Sequence, residues 1–164
     1  MKGKKVIFLI LALLLPVTIF IFLKLFGRNE FQVQVLHQQT VPPAAADCNF
    51  DYNVPYQIAD SVMNAFNRNE RDSLYVFSFD ERDAEAMQRV TAEFGDDPIQ
   101  VIGPEEVEAV FDPAFLRRCV LLLQGDTAVA LVDHQRRIRG YYDAKDREEV
   151  DRLIVEIKII LKQY

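Results

Sequence analysis

The side chains able to carry chemistry are few and widely spaced. The chain holds two cysteines, Cys48 and Cys119, and two histidines, His37 and His134. Soft thiolates and imidazoles are the ligands copper and zinc take. Two cysteines 71 positions apart form no C-x-x-C or C-x-x-x-C motif, so they are not a local redox or metal pair. Cys48 and Cys119 are also the sole candidates for a disulfide, a bond that persists outside the cytoplasm. Against it, Cys119 opens the apolar run Cys-Val-Leu-Leu-Leu, where a cysteine is commonly a small buried hydrophobe. The expectation is therefore two unpaired thiols, with a disulfide as the alternative and a copper pair last. His134 falls in a turn and His37 in a polar stretch, and both are expected to be solvated; His134 is a weak metal candidate beside the cysteines.

Acidic and basic clusters complete the inventory. Asp80, Glu81, Asp83 and Glu85 precede an amphipathic run, which suits a helix N-terminus, where the dipole favours negative charge. Asp96-Asp97 reads as a turn and Glu105-Glu106 as a helix start. Arg136, Arg137 and Arg139 lie in and after a hairpin turn and are expected to be solvated; contact with anionic headgroups is the alternative. No Gly-rich phosphate loop, G-x-S-x-G or H-E-x-x-H motif occurs.

The elements that position these residues follow from charge and periodicity. The chain has 164 residues, 50% hydrophobic and 27% charged, a size for one folded domain. Residues 1–28 contain five of the nineteen Lys/Arg and no acid. The remainder sets fourteen basic against twenty-five acidic residues, a charge of −11. Such a body is a poor nucleic-acid binder.

Val6 to Phe26 is an apolar run long enough to cross the ~30 Å hydrocarbon core. Lys2, Lys4 and Lys5 before it place the N-terminus in the cytoplasm. A cleaved signal peptide has a shorter apolar region and a small-residue cleavage site, which are not found here. The expectation is residues 1–28 as cytoplasmic tip and single-pass anchor in the cytoplasmic (inner) membrane. A spacer at 29–58 and an extracytoplasmic domain at 59–164 follow. The bilayer is then the first partner.

Within the spacer, Phe31–Leu36 reads as a short strand. Beyond it, the pattern predicts a helix over 61–69 capped by Asp60, a buried strand at Leu74–Phe79, and a helix over 82–94 ended by Gly95. Next come a strand at Ile99–Ile102, a helix opened by Pro104 with Val107 and Val110 inward, and a helical turn near 113–117. Strands at Cys119–Leu123, Ala128–Val132 and Ile138–Tyr142 follow. The last element is a helix from Arg147 to about Lys162, with Asp146 and Glu149 in capping-box spacing. Strands alternating with helices, closed by a hairpin, imply α/β: a thioredoxin-like three-layer α/β/α domain behind a transmembrane helix.

The tail sharpens this expectation. Residues 130–143, ALVDHQRRIRGYYD, with 146–153, DREEVDRL, are similar to the end of Sco/SenC-type proteins, and Phe79-Asp80-Glu81-Arg82-Asp83 resembles a second segment of that family. The resemblance is close over some 25 residues and loose over about 90. It implies a membrane-anchored thioredoxin fold acting in cytochrome oxidase assembly, with membrane or respiratory oxidase proteins as partners. The family binds copper through a C-x-x-x-C motif and a distant His. If Leu74–Phe79 is the first core strand, Asp80-Glu81-Arg82-Asp83 fills that place; if it is the second, the place falls in Ala59–Ser73, which holds no Cys. His134 lies after the strand rather than before it. The reading is a non-catalytic binding or assembly factor without cofactor. The alternative is a copper-binding or thiol-disulfide protein using Cys48 and Cys119 unconventionally; a third is a structural envelope protein.

Overall fold

The computed structural model describes residues 2–26, 32–42, 48, 52–66, 74–95, 97–125 and 127–161, with side chains in the first stretch described at 3, 5, 12–22 and 24. The chain divides into two units, the first ending and the second beginning between residues 31 and 32.

The first unit is one helix, α1 (Lys2–Phe26), 25 residues and about 37 Å long at 1.5 Å per residue. Pro16 lies inside it, and the Thr18 hydroxyl donates to the Leu14 carbonyl at 2.8 Å. The described side chains from Ala12 to Phe22 are all exposed, Leu13 and Phe20 by two thirds or more. Among the described residues no helix is long and apolar enough to cross a membrane, the described apolar stretch of α1 being eleven residues.

The second unit is a mixed four-stranded sheet with helices on both faces. Its elements are α2 (Asp60–Ala65), β1 (Leu74–Ser78), a 3-10 turn (Glu81–Asp83), α3 (Ala84–Phe94) and β2 (Ile99–Ile102). They continue through α4 (Pro104–Val110), a short turn α5 (Pro113–Phe115) running into a π-helical turn (Leu116–Val120), β3 (Val129–Asp133), β4 (Ile138–Tyr142) and α6 (Arg147–Leu161). The strand order is β2-β1-β3-β4. β1 and β2 are parallel, with Leu74 opposite Ile99; β1–β3 and β3–β4 are antiparallel.

Alternation along β1 and β3 divides the core. Tyr75, Phe77, Ala130 and Val132 face Met63 of α2 and Phe66 just after it, Val107 of α4, and Leu116 with Val120 to Leu123. Leu74, Val76, Val129 and Leu131 face Met87, Val90 and Phe94 of α3 and the Val150, Leu153, Ile154, Ile157, Ile160 stripe of α6. Every residue of β1 and β3 is buried, which is why both read as unbroken apolar runs. Gly95 ends α3 at φ +50°, a conformation glycine adopts without steric cost.

Six expectations are corrected. Cys119–Leu123 is not a strand: Leu116–Val120 is the π-helical turn, and Leu121 to Leu123 are buried coil. A short apolar run does not distinguish a strand from any other segment buried on all sides. Residues 32–36 form no strand, yet they lie along β4, with the Leu36 amide donating to the Ile138 carbonyl at 2.9 Å. Nor are the described residues between 32 and 58 a detached spacer. Leu36, Val41, Tyr52, Tyr56 and Ile58 pack into the core on the α2 side; a few anchoring apolar residues outweigh a polar, Pro-rich composition.

Val110 is 40% exposed, because the chain turns extended after it and Phe111 packs inward instead, its ring 5.6 Å from that of Phe66. Asp60 is the first residue of α2 and not its cap; Ala59 holds that position, and Asp60 pairs with Arg136. The expected continuation of α2 beyond 66 lies outside the described residues, as do Asp96 and Lys162. Asp146 does cap α6, accepting from the Glu148 amide at 2.9 Å, but the Glu149 carboxylate turns to Arg152 rather than back to the cap.

Candidate functional site

The cysteines meet. Cys48 and Cys119 form a disulfide with Cα atoms 5.6 Å apart, and no cysteine is free. This overturns the expectation of two unpaired thiols. The strand reading put Cys119 on a sheet; the π-helical turn instead carries it to the segment before α2. Three tyrosine hydroxyls fasten the same place. Tyr52 donates to the carbonyl of Cys119 at 2.8 Å, Tyr56 to Val120 at 2.6 Å and Tyr141 to Leu121 at 2.7 Å. A turn of this kind leaves carbonyls without helical partners, and buried carbonyls need donors. Burial pushes all three phenols above the usual tyrosine range, Tyr56 and Tyr141 well above it, which keeps their donor protons in place.

His37 is not merely solvated. Its Nε2 lies 2.8 Å from the Tyr141 oxygen. Since Tyr141 gives its proton to Leu121, His37 is the donor in that pair. Burial holds the imidazole below its ordinary range, against a backbone hydrogen bond at Thr40 that pulls it up.

The basic run is likewise structural. Asp133 is fully buried at the end of β3. Its Oδ1 accepts from the amides of Gln135 and Arg137, both at 3.0 Å; its Oδ2 accepts from Arg137 Nε at 2.9 Å and Arg139 Nη1 at 3.0 Å. Arg139, 6% exposed, also reaches the Val33 carbonyl at 2.6 Å. Arg136 pairs with Asp60. The expected solvated hairpin is thus the clamp that holds residues 32–36 and α2 on the sheet. Burial pushes the Asp133 carboxyl up, but hydrogen bonds from Arg137 and Arg139 outweigh it and hold the group below the usual carboxylate range.

The acidic cluster stands at the carboxyl end of β1, the edge where open α/β sheets place their sites. Asp80 behaves as expected: its carboxylate accepts from the Arg82 amide at 3.0 Å and forks with the guanidinium, holding its pKa down to about 2. Lys145 stands 3.9 Å from the same carboxylate.

Asp83 departs from the solvated-cap reading. It is 1% exposed, and neither oxygen has a hydrogen-bond partner among the described residues. Burial pushes its carboxyl up, Asp80 and Asp143 push the same way, and Lys145 and Arg82 oppose. The hydroxyl of Ser78, the last residue of β1, is also buried without a partner among the described residues. Nothing in the sequence marks Asp83 as different from its neighbours. Two of the charges that act on it, Asp143 and Lys145, come from the loop after β4.

Beside this edge, α3 and the start of α6 enclose a groove of about 710 Å3. Arg82, Glu85 and Arg89 line one wall, and Lys145, Arg147 and Val150 the other. His134, in the turn between β3 and β4, joins neither the disulfide nor the groove. Among the described residues no group of three or more His, Cys, Asp or Glu is arranged to hold a metal. No family model, curated protein or solved structure matches the chain.

Proposed function

We propose that the chain is a membrane-anchored, extracytoplasmic binding or assembly factor of thioredoxin-like architecture, related to the Sco/SenC proteins and working by protein contact in cytochrome oxidase maturation. The element order from β1, β-α-β-α-β-β-α, supports the architecture: a parallel β1–β2 pair is continued by an antiparallel hairpin in the order β2-β1-β3-β4. The anchor is supported by α1, whose described apolar side chains from Ala12 to Phe22 face outward all round. A helix apolar on every side has no polar face to offer water.

The observation that carries the reading is what occupies the carboxyl end of β1. Where the similar family has its dithiol, this chain has Asp80-Glu81-Arg82-Asp83, and its two cysteines are bound to each other elsewhere. Carboxylates neither exchange disulfides nor supply the soft ligands Cu(I) takes. Bonded sulfurs are not thiolates, and three tyrosines secure the turn that holds them, which suits a structural bond.

The test is a pull-down of the full chain, tagged at its C-terminus, from native membranes in mild detergent. Oxidase subunits enriched over an untagged strain support the reading. Their absence with several detergents, or stoichiometric Cu(I) binding lost in Cys48→Ser/Cys119→Ser, overturns it. Protease treatment of spheroplasts gives the orientation, the domain being digested from outside.

A further inference from the structure

The cations of this acidic domain are not evenly used. The run at 136–139 is consumed internally by Asp133 and Asp60. The groove between α3 and α6 is the opposite case: four of its lining residues are Arg82, Arg89, Lys145 and Arg147, against the single acid Glu85. The chain from residue 29 onward carries a charge of −11, so four cations lining one groove are a local concentration, with Asp80 and Asp151 paired to two of them.

The cations there are held but not spent. Arg82 gives Nε and Nη2 to Asp80, leaving Nη1. Arg89 pairs with Asp151 through Nη2 alone. Lys145 stands 3.9 Å from its carboxylate and is half exposed. Arg147 is exposed and has no carboxylate partner among the described residues. Asp80 and Asp151 thus orient two guanidiniums on the α3 wall, while Lys145 stands just before α6 and Arg147 opens it. The first turn of that helix is capped by Asp146 and carries Glu148 and Glu149, so the groove's positive charge comes from its side chains and not from the helix end. Ala86, Ala92 and Ala144 add little side-chain bulk.

We propose that the α3–α6 groove binds a phosphate ester. Guanidinium forks match the tetrahedral oxygens of phosphate, and an anionic phosphate, whether monoester or diester, gains from several convergent cations. The group comes either from a soluble phosphate monoester or from the headgroup of an anionic phospholipid. The second source rests on the membrane-anchored reading given above; the groove itself does not.

The experiment uses the full chain in phosphatidylcholine nanodiscs. Glycerol phosphate is titrated in and followed by 31P line broadening, with succinate competition as the control for charge alone. In parallel, hydrogen exchange at residues 144–150 is compared between phosphatidylcholine discs and discs containing phosphatidylglycerol. Lys145→Glu/Arg147→Glu is expected to weaken binding at least about tenfold, while Arg118→Glu, exposed and outside the groove, leaves it unchanged. Line broadening lost in the groove variant establishes a soluble ester as ligand. Protection only in phosphatidylglycerol discs, lost in the same variant, establishes the headgroup. No effect in either arm, equal loss in Arg118→Glu, or competition by succinate as strong as by phosphate overturns the proposal. A chain that fails to enter the discs speaks against the anchor, and the glycerol phosphate arm still judges the groove.

Discussion

Two aspartates of this domain are buried to the same degree and do opposite things. Asp133 lies among arginines and amides that donate to it; Asp83 lies near charges of both signs with no donor of its own in the described residues. Breaking the Asp133 cluster leaves Arg139 buried and unpaired, a defect of about 3–5 kcal/mol. Asp133→Ala is therefore expected to lower the midpoint of urea unfolding sharply at pH 7. Because the folded-state pKa of Asp133 is depressed, its contribution is complete above the ordinary value near 3.8 and is lost as pH falls through the lower folded value. The penalty of Asp133→Ala should thus shrink in acid.

For Asp83 the sign reverses. A raised carboxyl pKa means that its contribution is complete below the ordinary value and is lost as pH rises through the folded value. Asp83→Asn, which cannot ionise, is expected to stabilise the domain by about 1 kcal/mol at pH 8 and to gain nothing at pH 3. Thermal melts of both proteins across that range check it. A destabilised variant at pH 8 would mean that the carboxylate has a donor after all.

At the scale of elements, the π-helical turn and the segment before α2 form one device, closed by the disulfide and by three tyrosine hydroxyls on successive carbonyls. The bond closes a loop of about 70 residues, for which chain entropy gives about 4 kcal/mol. Cys48→Ser/Cys119→Ser should lose roughly that in urea unfolding while keeping its far-UV spectrum, since the tyrosines remain. Gly140 in β4 is a second point where an element depends on one residue. A Cβ there would overlap the Tyr142 hydroxyl and ring, and that ring is fixed by its bond to Glu156 and by Arg152 stacked 4.7 Å from its centroid. Gly140→Ala is expected to cost about 1–3 kcal/mol by overpacking, read as a lower melting temperature.

These same elements divide what the sequence discloses from what it hides. β1, α3, β2, β3, β4 and α6 are legible because each is buried on a regular pattern against the sheet. The π-helical turn is not, because the short apolar run 119–123 that overlaps its end has no period to read. Asp80 is legible as a local cap, whose partners lie two residues on. Asp83 is not, because two of the charges that act on it come from a loop 60 residues away. The Asp133 clamp is half legible: the charges are evident, but that they close on a carboxylate inside the hairpin depends on the turn.

On the scale of the whole molecule, the boundary of the folded unit is the matter that composition misplaces. Residues 32–58 look like a polar tether, but their described part supplies what the sheet lacks. The Leu36 amide pairs with the Ile138 carbonyl on the exposed edge of β4, an edge that would otherwise offer that group to another chain, and the Val33 carbonyl holds the Arg139 side chain. Tyr56 and Ile58 are nearly inaccessible, and Cys48 carries half of the disulfide. A chain beginning at residue 59 therefore loses the edge cover, the cross-link and two of the three tyrosines at once, and leaves Arg139 without its Val33 contact. It is expected to aggregate or to show a broad, non-cooperative transition. A chain beginning at residue 32 keeps all of these and lacks α1, whose apolar side chains make no part of the second unit. It is expected to be soluble, monomeric and cooperative in unfolding, with the disulfide intact by mass. Sedimentation and urea titration of the two truncations decide the matter. If the chain from 59 unfolds as sharply and as late as the chain from 32, the segment is a tether after all.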